Sequence, residues 1–121
     1  MNKALGLACL ILLALNVEAA ARCSVPLIHT FNNQTVDGRM TVTSGAPCSI
    51  RLRFSAGPTY SAEVVQRPSN GTATVDGRNR IVYRSRAGFV GNDAFTYARR
   101  GESIGGSAVV RTVRVAVIVI P

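Results

Sequence analysis

Through most of this chain, apolar and polar side chains alternate with a period of two. After residue 21, apolar residues nowhere recur at helical spacing over three turns. A period of two sorts side chains onto the two faces of a strand, whereas a helix needs a period of 3.6. In residues 48–54, Cys48, Ile50, Leu52 and Phe54 fall on one side, and Ser49, Arg51 and Arg53 on the other. In residues 80–86, Ile81 and Tyr83 oppose Arg80, Val82 and Arg84. Strands are predicted over 25–31, 39–43, 48–54, 60–66, 72–75, 80–86, 94–99 and 108–120. The punctuation between them is Asp37-Gly38, Ala56-Gly57-Pro58, Pro68 with Asn70-Gly71, Asp76-Gly77, Gly88 to Asn92, and Gly101 to Gly106. Seven to eight short strands separated by turns predict an all-β sandwich with aligned sheets. The last strand is apolar on both faces from Val115 onward. It is therefore expected in the middle of a sheet, because an exposed edge of that composition would aggregate.

The first 21 residues read as a separate segment. Lys3 precedes an apolar run from Ala4 to Leu15, and Ala19-Ala20-Ala21 follows. That is the pattern of a cleaved signal peptide. The run is about a dozen residues long, and a spanning helix needs roughly 20. Cys9 lies inside the run, too early for a lipoprotein cleavage site. Cleavage after Ala21 leaves one domain, residues 22–121, with no transmembrane helix, placed in the periplasm or secreted. Lys3 and Glu18 cancel, so that domain keeps the net charge of +8, and all thirteen of its basic residues are arginine.

Two cysteines remain in it, Cys23 and Cys48. An exported chain with two cysteines is expected to join them. Two thiols and the lone histidine, His29, do not complete a four-ligand zinc shell.

Three segments carry a more specific pattern: Pro68-Ser69-Asn70-Gly71-Thr72-Ala73-Thr74-Val75, then Arg80-Ile81-Val82-Tyr83, then Gly88-Phe89-Val90-Gly91-Asn92-Asp93-Ala94-Phe95-Thr96-Tyr97. From Pro68 to about Val119 this resembles the bacterial immunoglobulin-like and cadherin-like repeats of large secreted adhesins. The resemblance implies an immunoglobulin-like β-sandwich. In that family the segment after the Phe-x-Tyr strand is often acidic and can help to bind calcium. Here it is Arg99-Arg100-Gly101-Glu102, and adjacent guanidiniums repel a cation. Asp37, Glu63, Asp76, Asp93 and Glu102 show no pair at loop-ligand spacing, so no metal or other cofactor is expected. Family members usually occur as repeats in long chains, whereas a single copy is expected here.

Elementary chemistry gives the motif residues structural roles. Gly71 and Gly91 are expected to supply positive φ between strands. Asp93 is placed to accept backbone N–H bonds in its turn. Phe95 and Tyr97 share a face and should enter the core, with the Tyr97 hydroxyl needing a partner. Phe89 should plug one end of the sandwich.

Nothing marks a catalytic centre. There is no Gly-x-Ser-x-Gly, no reactive cysteine and no phosphate-cradling loop before a helix, so the chain reads as a non-enzyme. Its distinctive outer chemistry is arginine. Arg51 and Arg53 share one strand face, Arg80 and Arg84 another with Arg86 nearby, and Arg99 and Arg100 close a third strand. Guanidiniums pair bidentately with phosphate, carboxylate and sulfate. These residues are the candidate anion-binding set, against the plainer role of keeping strand surfaces soluble. The expected partner is an envelope or extracellular protein or an acidic glycan, met by a monomer. The alternative is a cationic factor for anionic polymers or lipids. Nucleic acid is not expected, because the leader removes the chain from the cytosol and the aromatics lie on core faces.

Overall fold

The computed structural model describes residues 20–52 and 59–121. Residues 1–19, which hold most of the predicted leader, lie outside the described residues, as do Arg53, Phe54 and the Ala56-Gly57-Pro58 break. Eight strands follow one another: β1 (Cys23–Ser24), β2 (Thr35–Thr43), β3 (Cys48–Arg51), β4 (Thr59–Gln66), β5 (Gly71–Asp76), β6 (Arg80–Ser85), β7 (Gly91–Glu102) and β8 (Ala108–Ile120). They form a five-stranded sheet, β1-β2-β8-β7-β4, and a three-stranded sheet, β3-β6-β5. This is the immunoglobulin-like sandwich expected from the motif.

β8 is the middle strand of the larger sheet. It pairs in parallel with β2 and antiparallel with β7. Val109, Val113, Val115, Val117 and Val119 point inward and are buried. From the same sheet come Met40, Val42, Phe95 and Tyr97, and from the other Cys48, Ile50, Ile81 and Tyr83; together they close one core. The Tyr83 and Phe95 rings stack across the layers at 5.7 Å. The Cys23–Cys48 disulfide joins β1 to β3 and so ties one sheet to the other.

The fold departs from the sequence expectations in four places. Residues 25–31 form no strand; the first ladder is only Cys23–Ser24 against Val42 and Thr41. Pro26 has no N–H for a ladder, and the segment instead lays Val25 and Ile28 against the core. Asp37-Gly38 is not a turn but the interior of β2, paired with Arg114 and Val115. An added Cβ at Gly38 would stand 2.8 Å from Ile28 Cδ1, so the Ile28 side chain would have to shift. Gly71 does not adopt positive φ, in contrast to Gly91 at 142°. A Cβ at Gly71 would press on Arg84 O and lie 2.8 Å from Ser85 Cα, so this glycine permits the close approach of β5 to β6. Finally, Gly101 and Glu102 continue β7, and the last loop is residues 103–107.

Candidate functional site

The motif residues gather at one end of the sandwich around a carboxylate. Asp93, at the start of β7, accepts hydrogen bonds from the backbone N–H groups of Ser69 and Asn70 (3.1 Å each) and of Ala94 (2.9 Å). The Tyr83 hydroxyl donates to the same carboxylate at 2.7 Å. The hydroxyl lock expected at Tyr97 is therefore made by Tyr83, which reaches Asp93 from the facing sheet. Burial and the neighbouring carboxylate both raise the Tyr83 pKa. Pro68 is buried beside this turn, and Phe89 is half-buried against the core with the Arg86 guanidinium 5.5 Å above its ring. This end is a structural clasp with its polar groups consumed.

The candidate arginines divide among three places. Arg51 and Arg80 are direct partners across the β3–β6 ladder, on the outer face of the three-stranded sheet. Arg84 lies on the same face, four residues (~13 Å) along β6. Arg80 meets Asp76 at 3.3 Å, Arg84 Nε donates to Gly45 O at 2.6 Å, and Arg86 donates to Asn70 Oδ1 at 3.3 Å. Arg100 is on the outer face of the other sheet, paired with Glu63 at 3.2 Å. Arg99 corrects an expectation: it is 5% exposed and points between the sheets. Its position at even spacing from Phe95 and Tyr97 dictates that face.

Beneath Arg99 the sequence reading missed a second interior cation. Arg111 is fully buried, at 0% exposure, and is the direct ladder partner of Arg99. The available signal was parity, because Arg111 sits in register with Val109 and Val113 on the inward face of β8. Arg99 donates to Thr30 Oγ1 (2.7 Å) and Thr59 Oγ1 (3.4 Å). Arg111 donates to Asn32 Oδ1 through both Nε (3.1 Å) and Nη2 (2.8 Å), and to Glu102 O. Burial, and then the Arg111 guanidinium beside it, lower the Arg99 pKa. Asn33 pins this segment by taking a left-handed backbone (φ 57°) and exchanging bonds with Val110, N–H to carbonyl at 2.8 Å and side-chain oxygen to N–H at 3.1 Å.

Arg99 borders a cleft of about 530 Å³ between residues 25–30, the end of β3 and the end of β7. Residues 25–30 and 49–52, with Tyr97 and Arg99, line it. Around the same end, Leu27 (60%), Phe31 (56%) and Ile104 (89%) stand exposed.

The remaining acidic groups are committed elsewhere. Asp37 pairs with Arg114 at 3.1 Å, and the nearby Glu102 carboxylate raises the Tyr60 pKa. Among the described residues there is no cluster of three or more His, Cys, Asp or Glu side chains suited to a metal ion. Nor, among them, is any helix long and apolar enough to cross a membrane.

No curated protein matches the chain. The family described as bacterial Ig domain matches residues 26–112, a span that includes the Asp93 clasp, Arg99 and Arg111. With that match over most of its length, and with two facing sheets closed around one core, the chain belongs to the bacterial Ig domain family.

Proposed function

We propose that this protein is an exported, non-catalytic binding module that acts at the cell envelope or outside the cell. Its leader is residues 1–21, its working domain residues 22–121, and its partner a protein or an acidic glycan. The Cys23–Cys48 bridge supports an oxidising compartment, since disulfides persist outside the cytosol. The observation that carries the binding reading is the mixed surface at one end of the sandwich. Leu27, Phe31 and Ile104 are exposed there, and Leu27 lines the same cleft as Arg51. Exposed aromatic and aliphatic groups beside arginine are the composition of contact surfaces.

A second reading rests on the arginines alone. Arg51, Arg80 and Arg84 form a guanidinium row on one sheet face, which suits a cationic factor held on anionic polymers by charge. Salt separates the two readings, because screening removes exposed charge contacts while apolar contacts persist. The test is retention of the purified protein on envelope extract and on immobilised polygalacturonate, at about 50 and about 500 mM salt. Retention on the extract at the higher salt, lost on changing Phe31 and Ile104 to Ser, is the expected result. Loss of all retention at the higher salt, with unchanged behaviour of the Ser variants, would transfer the function to the arginine row.

A further inference from the structure

β3 is an edge strand, and its free edge opens into the cleft. Of the edge strands β1, β3, β4 and β5, it is the one whose residues line that space. Ser49, Ile50, Arg51 and Leu52 all do so, although alternate residues of a strand point to opposite faces. A strand that presents both parities to one space borders it edge-on.

Register decides which backbone groups face the cleft. Leu52 N–H donates to Asn79 O at 2.7 Å, toward β6. In an antiparallel ladder, hydrogen-bonded and non-hydrogen-bonded pairs alternate. Cys48 and Ile50, at even spacing from Leu52, therefore bond to β6 opposite Tyr83 and Ile81. Ser49 and Arg51 fill the alternate pairs, opposite Val82 and Arg80, and turn their N–H and C=O groups away from β6. Among the described residues no backbone group bonds to them on that side. Residues 26–30, on the other wall, likewise make no backbone hydrogen bond among the described residues. The β3 register is unbroken, whereas shifts at Thr59/Ser61 and Val64/Gln66 interrupt the edge strand β4.

A strand added here would share the pleat of β3. One set of its side chains would lie on the core face with Ile50 and Leu52, each 3% exposed, and the other on the outer face with Arg51. The first set must be apolar. On the outer face Arg80 is paired with Asp76, whereas Arg51 is exposed and joins no ion pair among the described residues. In a chain of net charge +8, a carboxylate beside Arg51 is the complementary group.

We propose that β3 accepts an extended peptide segment of a partner protein as a further strand, with apolar side chains alternating with acidic ones. Ser49 and Arg51 supply the main-chain hydrogen bonds, as in strand addition at a sheet edge. This partner class deepens the binding reading above, on which it rests.

Residues 48–52 run about 13 Å, so five residues cover the edge. The test uses the oxidised protein and the probe acetyl-Val-Glu-Val-Glu-Val-amide. The controls are the same peptide N-methylated at every residue, and the block peptide acetyl-Val-Val-Val-Glu-Glu-amide. The probe should shift the Ser49 and Arg51 amide resonances saturably and slow their hydrogen exchange at least about tenfold. Both controls should bind at least about tenfold more weakly. Ser49→Pro removes an outward N–H and no bond to β6, and should weaken the probe at least about tenfold. If Ser49→Pro fails to fold, the amide titration of the unaltered protein decides alone. Absence of a shift at these amides, or equal binding of the N-methylated peptide, would overturn strand addition while leaving the Phe31 and Ile104 contact to its own envelope test. Equal binding of the block peptide would overturn the alternating pattern. A concentration-dependent shift of the same amides without peptide would reassign the edge to a second copy of the chain and overturn the partner.

Discussion

The Tyr83 hydroxyl reaches from the three-stranded sheet to the Asp93 carboxylate of the five-stranded sheet, at 2.7 Å in the buried interior. The same carboxylate holds the turn before β5 through Ser69 and Asn70. One side chain therefore joins the two layers and fixes a connection. Its removal strands several donors at once.

Asp93→Ala should cost about 3 kcal/mol or more, since it leaves buried donors without an acceptor, and Tyr83→Phe about 1.5–3 kcal/mol. Because the two share a bond, the double variant should lose less than the sum. Urea unfolding of the four proteins measures this. Strict additivity would show that the two side chains act separately.

Phe95 is 1% exposed and sits between Tyr83, stacked at 5.7 Å, and Tyr97 at 6.4 Å. Phe95→Ala opens a cavity in the middle of the core and should cost about 3–5 kcal/mol. A thermal or chemical melt reads it directly, and an unchanged midpoint would remove Phe95 from the core.

The disulfide closes a separation of 25 residues, which loop entropy values at about 3.5 kcal/mol. Cys23→Ser/Cys48→Ser should lower stability by about that amount while keeping the two-sheet fold. Comparison of urea midpoints for the oxidised protein and the double variant tests the size of the effect. Equal midpoints would mean that the bridge constrains nothing the sheets do not already hold.

Burial raises the Tyr97 pKa from 10.0 to about 12, with the Arg99 charge acting weakly the other way. The folded state therefore keeps a proton that the unfolded chain releases. Stability is fully present below pH 10 and falls as pH rises from there through about 12. Tyr83 shifts in the same direction and adds to the loss. Unfolding midpoints should decline across that window, and Tyr97→Phe should flatten part of the decline. A constant midpoint through the window would contradict the buried hydroxyl.

Gly71→Ala should destabilise by about 1–3 kcal/mol, because its Cβ would meet the backbone of Arg84 and Ser85 and push β5 from β6. Gly105→Ala, whose Cβ would have only Ser103 Oγ near it, at 3.8 Å, should be almost neutral. Circular dichroism melts of the two variants separate a packing glycine from a loop glycine.

Alternation alone placed Ile50, Leu52, Ile81, Tyr83, Phe95 and Tyr97 on inward faces, and Arg51, Arg80 and Arg84 on outward ones, because the pleat has a period of two whatever its neighbours do. The two-sided apolar run after Val115 likewise announced a central strand, and the two cysteines left after residue 21 announced their bridge. Contacts distant in sequence decided the rest. Gly38 and Gly71 look like turn residues until Ile28 and Arg84 are seen pressed against them, since a glycine marks either a turn or a close approach. Arg99 and Arg111 look solvent-facing by charge, yet their parity is that of the core. Only the pairing of β7 with β8 brings them face to face. Strand parity is a local property of the backbone. Register and the packing of one sheet on another are set by the whole domain, and that is where this protein's interior charge was placed.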